Sequence, residues 1–202
     1  MGTFAVVWLS ASAAVAGPVM SALAYGLAMG MAVFAFASAD AHFNPALTLA
    51  LVASRRLDGA RGVILVFAQL LGAGLAGLFL VRSFHAQAAS AACTLTSVGY
   101  RTGTLVEAMA AFWAALVYCK ARLDDGRGAF GCAAIAAVTT SVALATAPLT
   151  GGAFNPARAF GPALALGLWS HWYVYWAGPL VGAGLAAVLY EHLFAETAKE
   201  AA

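Results

Sequence analysis

The chain has 202 residues, 63% hydrophobic and 9% charged, with a net charge of +2 at neutral pH. Soluble domains carry roughly 25% charged residues, so the composition excludes an ordinary soluble domain, and so small a net charge implies no nucleic-acid partner. The three cysteines, Cys93, Cys119 and Cys132, have no metal or redox spacing, and their odd number argues against a complete disulfide framework. Neither a cofactor nor a metal site is read from the sequence.

Apolar runs of membrane-spanning length recur instead. The first lies at about Gly2 to Ala16. At 1.5 Å per residue it reaches only about 22 Å, short of a bilayer core of roughly 30 Å. Either the helix is tilted and aided by neighbours, or its start is shortened. It lacks the basic n-region of a signal peptide. Gly17-Pro18 breaks the chain, and a second span follows from about Val19 to Ala37. Ser38 to Phe43 is a polar interruption, and Asn44 opens a half-length apolar stretch ending near Ala53. A third span runs from about Gly62 to Val81, a polar loop from Ser83 to Thr102, and a fourth span from about Leu105 to Cys119. After a charged turn, Ala121 to Gly128, a fifth span covers about Ala129 to Ala147 and stops at Pro148. Leu149 to Phe154 is a Gly-rich loop, Asn155 opens a second half-length stretch ending near Leu168, and a sixth span runs from Trp172 to Tyr190 before a polar tail.

One phrase occurs twice: Phe43-Asn44-Pro45-Ala46 and Phe154-Asn155-Pro156-Ala157. Asn is a preferred N-cap and Pro is favoured at the first helical position, so each copy predicts a helix N-terminus. Leu70-Leu71-Gly72-Ala73-Gly74-Leu75-Ala76 likewise returns as Leu180-Val181-Gly182-Ala183-Gly184-Leu185-Ala186. Three spans plus a half-helix, duplicated, predict a single channel-like domain over 1–202 made of two inverted halves, about 1–100 and 101–202. Arg55, Arg56, Arg61, Lys120, Arg122, Arg127 and Lys199 would share one side, against Arg82 and Arg101 on the other. The positive-inside rule then places both termini in the cytoplasm. Glycines at Gly26, Gly30 and in the two repeated stretches suit close helix packing.

Two half-helices entering from opposite faces each reach roughly the middle of the bilayer. Non-helical backbone at that depth is tolerated only inside protein or beside a wet cavity. Their facing N-termini concentrate partial positive charge. The Asn oxygens would cap backbone N–H groups and leave amide donors toward the space between. Such a site offers hydrogen bonds to a neutral molecule and refuses cations and protons. An enzyme is not expected, because the in-span serines Ser10, Ser12, Ser21 and Ser141 have no His at a matching depth. A secondary transporter is the alternative, since it too uses inverted repeats and broken helices. It would normally need an ionisable group at the midplane, where Asn44 and Asn155 are neutral.

His42-Phe43-Asn44-Pro45-Ala46 and Asn155-Pro156-Ala157-Arg158 resemble the paired signatures of the aquaporin (major intrinsic protein) superfamily, and Gly2-Thr3-Phe4, Gln69 and Gly178-Pro179 extend the resemblance along the chain. It implies an all-α membrane fold of six transmembrane helices and two re-entrant half-helices, a passive channel for water, and a homotetramer in the cell membrane of a prokaryote. It also implies a filter near the outer mouth. Arg158 matches the filter arginine, and the spacing before the motifs aligns Tyr25, Ala143 and Gly152 with the other three positions. As a lone aromatic in an apolar helix, Tyr25 reads equally well as a packing or lipid-facing residue.

Water-selective relatives usually carry His where this chain has Ala143, and glycerol facilitators usually carry Asp where it has Ala159. A wide filter follows, passing water and small uncharged solutes such as glycerol, urea or neutral metalloid hydroxides. By the same resemblance Glu107 would brace the backbone of a pore loop, and His42 would brace the loop before Asn44. Ser38 stands where many relatives have a further pore-loop His. His85, His171 and His192 sit at span ends, and Trp172, Tyr173, Tyr175 and Trp176 read as an interfacial aromatic belt.

Overall fold

The structure is a computed structural model that describes residues 1–37, 42–123 and 128–195. Among these residues there are eight α-helices and no strand. The helices are α1 (Gly2–Ala13), α2 (Pro18–Ala35), α3 (Pro45–Ala53), α4 (Gly59–Phe84), α5 (Tyr100–Leu123), α6 (Gly128–Thr150), α7 (Pro156–Leu166) and α8 (Val174–Tyr190). Five are long and apolar enough to cross a membrane: α2, α4, α5, α6 and the stretch Val174–Phe194 that contains α8. The first segment is the short one expected. It is α-helical to Ala13 and tightens into a 3₁₀ turn over Ala14–Ala16. Of the residues singled out in the sequence, Ser38, Arg127 and Lys199 lie outside the described residues.

The ends of the helices follow local chemistry. Gly17, at φ 115°, makes the sharp reversal that Pro18 then converts into a helix start. Asp58 caps α4 by accepting the Arg61 backbone N–H at 3.0 Å. That cap lets α4 start at Gly59 and run 26 residues, longer at both ends than the apolar run alone suggested. One sequence expectation fails here: Pro148 does not end the fifth span, which continues to Thr150. A proline so close to a C-terminus forfeits one helical hydrogen bond and kinks nothing downstream. The neighbouring carbonyls are taken up by the preceding loop, since the Thr96 N–H donates to Leu149 O and the Ser97 hydroxyl to Pro148 O.

The halves interlock through their short helices. α3 packs on α8 of the other half, and α7 packs on α4. Within each half the corresponding pairs α1–α4 and α5–α8 are in contact, and across the halves α2 lies along α6. Small residues permit this. A Cβ at Gly77 would run into Gly161 of α7, and one at Gly182 into the Ala108 carbonyl of α5, so neither site has room for a side chain. The hydrophobic effect does not drive helices together in lipid, so such close backbone approach is what holds them. Large apolar side chains face outward, including Leu27, Ile64, Phe67, Leu71, Leu105 and Phe130, as an integral multi-pass membrane protein requires.

Candidate functional site

The centre of the molecule is built from the two repeated motifs. Asn44 and Asn155 are both buried and share nearly one backbone conformation, φ −149° and ψ 114° against φ −148° and ψ 110°. Each side-chain oxygen caps its own half-helix: Asn44 Oδ1 accepts the Ala46 N–H at 2.9 Å, and Asn155 Oδ1 accepts the Ala157 N–H at 2.9 Å. Each side-chain nitrogen then reaches across to the other half. Asn44 Nδ2 donates to Phe154 O at 3.2 Å, and Asn155 Nδ2 donates to Phe43 O at 3.0 Å. The amide groups are therefore not left wholly to the space between, as the sequence suggested. Each NH₂ spends one hydrogen on the opposite loop. Phe43 and Phe154 accept these bonds from positive φ, 50° and 33°. A left-handed aromatic residue is costly, and here the reciprocal bonds and buried rings hold both.

The loop before Asn155 is secured by one carboxylate. Fully buried Glu107, on α5, accepts the Thr150 hydroxyl at 2.6 Å, the Ala153 N–H at 3.2 Å and the Phe154 N–H at 2.6 Å. Tyr175 adds a hydrogen bond to Thr150 O at 3.0 Å. The belt reading thus fails for Tyr175, which is buried behind this loop while Trp172 and Tyr173 stay exposed. The reason is helical phase, because Tyr175 lies on the inward face of α8's first turn.

The first half uses a neutral network instead. The Thr48 hydroxyl lies 3.1 Å from Asn44 O and 3.1 Å from His42 Nδ1, and its oxygen accepts from Gln69 Nε2 at 2.8 Å. The Thr48 hydroxyl thus ties His42, Gln69 and the Asn44 carbonyl into one buried cluster.

Tyr25, Ala143, Gly152 and Arg158 come together on the side of the motifs that the 90–97 loop covers. The Arg158 guanidinium, almost fully buried, donates through Nη1 to Gly151 O at 3.0 Å and Gly152 O at 2.9 Å. Its carbon lies 4.7 Å from the centre of the Tyr25 ring, which packs tilted against Phe154 with ring centres 5.1 Å apart. Tyr25 is wholly buried and packs inside the protein, not toward lipid. Gly152 has φ +60°, and a Cβ there would press on Ala143 O at 3.0 Å, so a larger residue would be both strained and crowded. Two partners of Arg158 were not legible in the sequence. They are Ser21, which accepts from Nη2 at 3.0 Å, and Cys93, whose sulfur lies 3.3 Å from Nη1. Ser21 stands one helical turn before Tyr25, a signal that helical spacing could have supplied. Cys93 comes from an irregular loop and had none. Arg158 and Ser21 floor a cavity of about 370 Å³, rimmed by Thr94, Thr96, Pro148 and Gly151.

The sequence matches the family described as Major intrinsic protein over residues 1–190. It is 38% identical over 183 residues to a protein named probable aquaporin TIP3-2 from Oryza sativa subsp. japonica, covering 89% of this chain and 69% of that one. To the protein named aquaporin TIP4-4 from Zea mays it is 39% identical over 156 residues, covering 76% of this chain and 62% of that one. The chain thus spans somewhat under or over two thirds of the length of these relatives. In structure it resembles the aquaglyceroporin from Plasmodium falciparum, with a TM-score of 0.87 at 18% identity, covering 98% of this chain and 95% of that one. At that identity the likeness speaks for the fold.

Proposed function

This chain belongs to the major intrinsic protein family and is a passive membrane channel for water and small solutes, and on that premise we propose that it passes water and small uncharged solutes while rejecting cations and protons. It is not an enzyme. The observation that carries the proposal is the paired arrangement of Asn44 and Asn155, each capping one half-helix and bonded across to the other half. Two helix N-termini and the Arg158 guanidinium present only donors and positive potential to whatever enters. A neutral molecule with an acceptor oxygen is welcome there, and a cation must cross without compensation.

The solute range follows from the filter, taken as Tyr25, Ala143, Gly152 and Arg158. Ala143 and Gly152 contribute no donor and little bulk, which favours passage of glycerol, urea or neutral metalloid hydroxides beside water. Glu107 and His42 act in this reading as loop supports. The crossed packing of α3 on α8 and α7 on α4 supports one channel domain made of two inverted halves, about 1–100 and 101–202. A homotetramer in the cell membrane with cytoplasmic termini completes the proposal, supported by family membership and by the Arg55, Arg56, Arg61, Lys120 and Arg122 cluster. Purified protein in liposomes, shrunk osmotically against a panel of neutral solutes, tests it. Fast water flux with glycerol and urea at the bare-lipid rate would overturn the wide filter. Flux that saturates and follows an ion gradient would favour a coupled carrier.

A further inference from the structure

We infer that Ser21 is a positioning residue for the filter arginine, and that it tunes the discrimination between water and larger neutral solutes. The inference rests on the channel reading above and on Arg158 lying in the filter. It begins in the backbone of α1. Here α1 tightens into a 3₁₀ turn at Ala14, whose N–H turns to Ala11 O. Beside that turn the Ser21 hydroxyl donates to the Ser10 carbonyl at 2.8 Å.

That bond decides what Ser21 can offer. With its only proton committed to Ser10 O, its oxygen is left as an acceptor, and it takes Arg158 Nη2 at 3.0 Å. Ser21 is itself 5% exposed, so the acceptor is built into the wall. A relay results, from Arg158 through Ser21 to the α1 backbone. A donor count shows its weight. The two Nη1 hydrogens are shared among Gly151 O, Gly152 O and the Cys93 sulfur, one Nη2 hydrogen is held by Ser21, and buried Nε has no partner. The carbonyls fix one end of the guanidinium plane and Ser21 fixes the other. Without Ser21 the plane can swing about Nη1 over the mouth of the outer cavity, and the gap that sets solute size is no longer constant.

The test measures the ratio of glycerol to water permeability in proteoliposomes of the full chain, for the parent, Ser21→Ala and Ser21→Thr. Ser21→Ala should raise the ratio about threefold or more, as expected for weakening a hydrogen bond to a charged group, and Ser21→Thr, which keeps the hydroxyl, should restore the parent's ratio. A smaller change for Ser21→Ala, or an equal change for Ser21→Thr, overturns the inference, because a role for the hydroxyl requires the two variants to differ. If Ser21→Ala yields no folded protein, Ser21→Cys keeps the volume with a weak acceptor and is judged by the same ratio. Parent protein that raises water flux no higher than empty liposomes overturns the channel reading and this role with it, whereas a conducting parent with an unchanged Ser21→Ala overturns this role alone.

Discussion

Removing the Glu107 carboxylate tests how the central loop is held. It accepts two backbone N–H groups, of Ala153 and Phe154, and the Thr150 hydroxyl. In Glu107→Ala the hydroxyl can turn to Thr146 O, which lies 3.4 Å away, but the two N–H groups are left buried without partners. Each orphaned donor costs about 1–3 kcal/mol, so the loss is about 4 kcal/mol, or roughly 8–16 °C in melting temperature for a chain of this size. Glu107→Gln should cost less. Its oxygen can keep Thr150 and Ala153, while its NH₂ faces the Phe154 N–H, leaving one orphan worth about 1–3 kcal/mol. Phe154 O also receives Asn44 Nδ2, so both variants should conduct less water per folded channel. Thermal unfolding in detergent and stopped-flow light scattering measure the two effects. A Glu107→Ala variant that melts within about 2 °C of the parent, or no lower than Glu107→Gln, would refute this account.

Ala143→His should lower glycerol and urea flux several-fold more than water flux, because an imidazole would occupy the space opposite Gly152; solute flux unchanged in the same swelling assay would place Ala143 outside the filter. Gly182→Val would drive a branched side chain into the Ala108 backbone and should cost more than about 3 kcal/mol, beyond ordinary overpacking, read as loss of folded protein on size exclusion. Arg56→Gln, by contrast, should cost less than about 1 kcal/mol, since its ion pair with Glu191 is substantially exposed. The hydrogen bond from Arg56 to Glu191 lifts the guanidinium further above its ordinary value. A raised basic group stabilises below its unfolded pKa and loses that only at still higher pH, so Arg56 should add no pH dependence to melting between pH 6 and 9.

Much of the architecture was written in the order of residues. The doubled Phe-Asn-Pro-Ala carries its own capping chemistry, and the Asn–Pro pair starts a helix whatever surrounds it, so α3 and α7 were legible with their first residues. Apolar runs are equally local, and they located the spans. Boundaries that depend on distant partners were not legible. Pro148 stays inside α6 because the 96–97 loop returns to its carbonyls, and Tyr175 leaves the aromatic belt because helical phase turns it inward, where it bonds Thr150 O. The site divides the same way. Asn44, Asn155 and Arg158 announce themselves by motif. That each Asn bonds the opposite half, and that Arg158 is gripped by Ser21, Gly151 and Gly152, became visible only in three dimensions. Capping and hydropathy act within a few residues and can be read along a chain, whereas a hydrogen bond between segments exists only where packing has already brought donor and acceptor together.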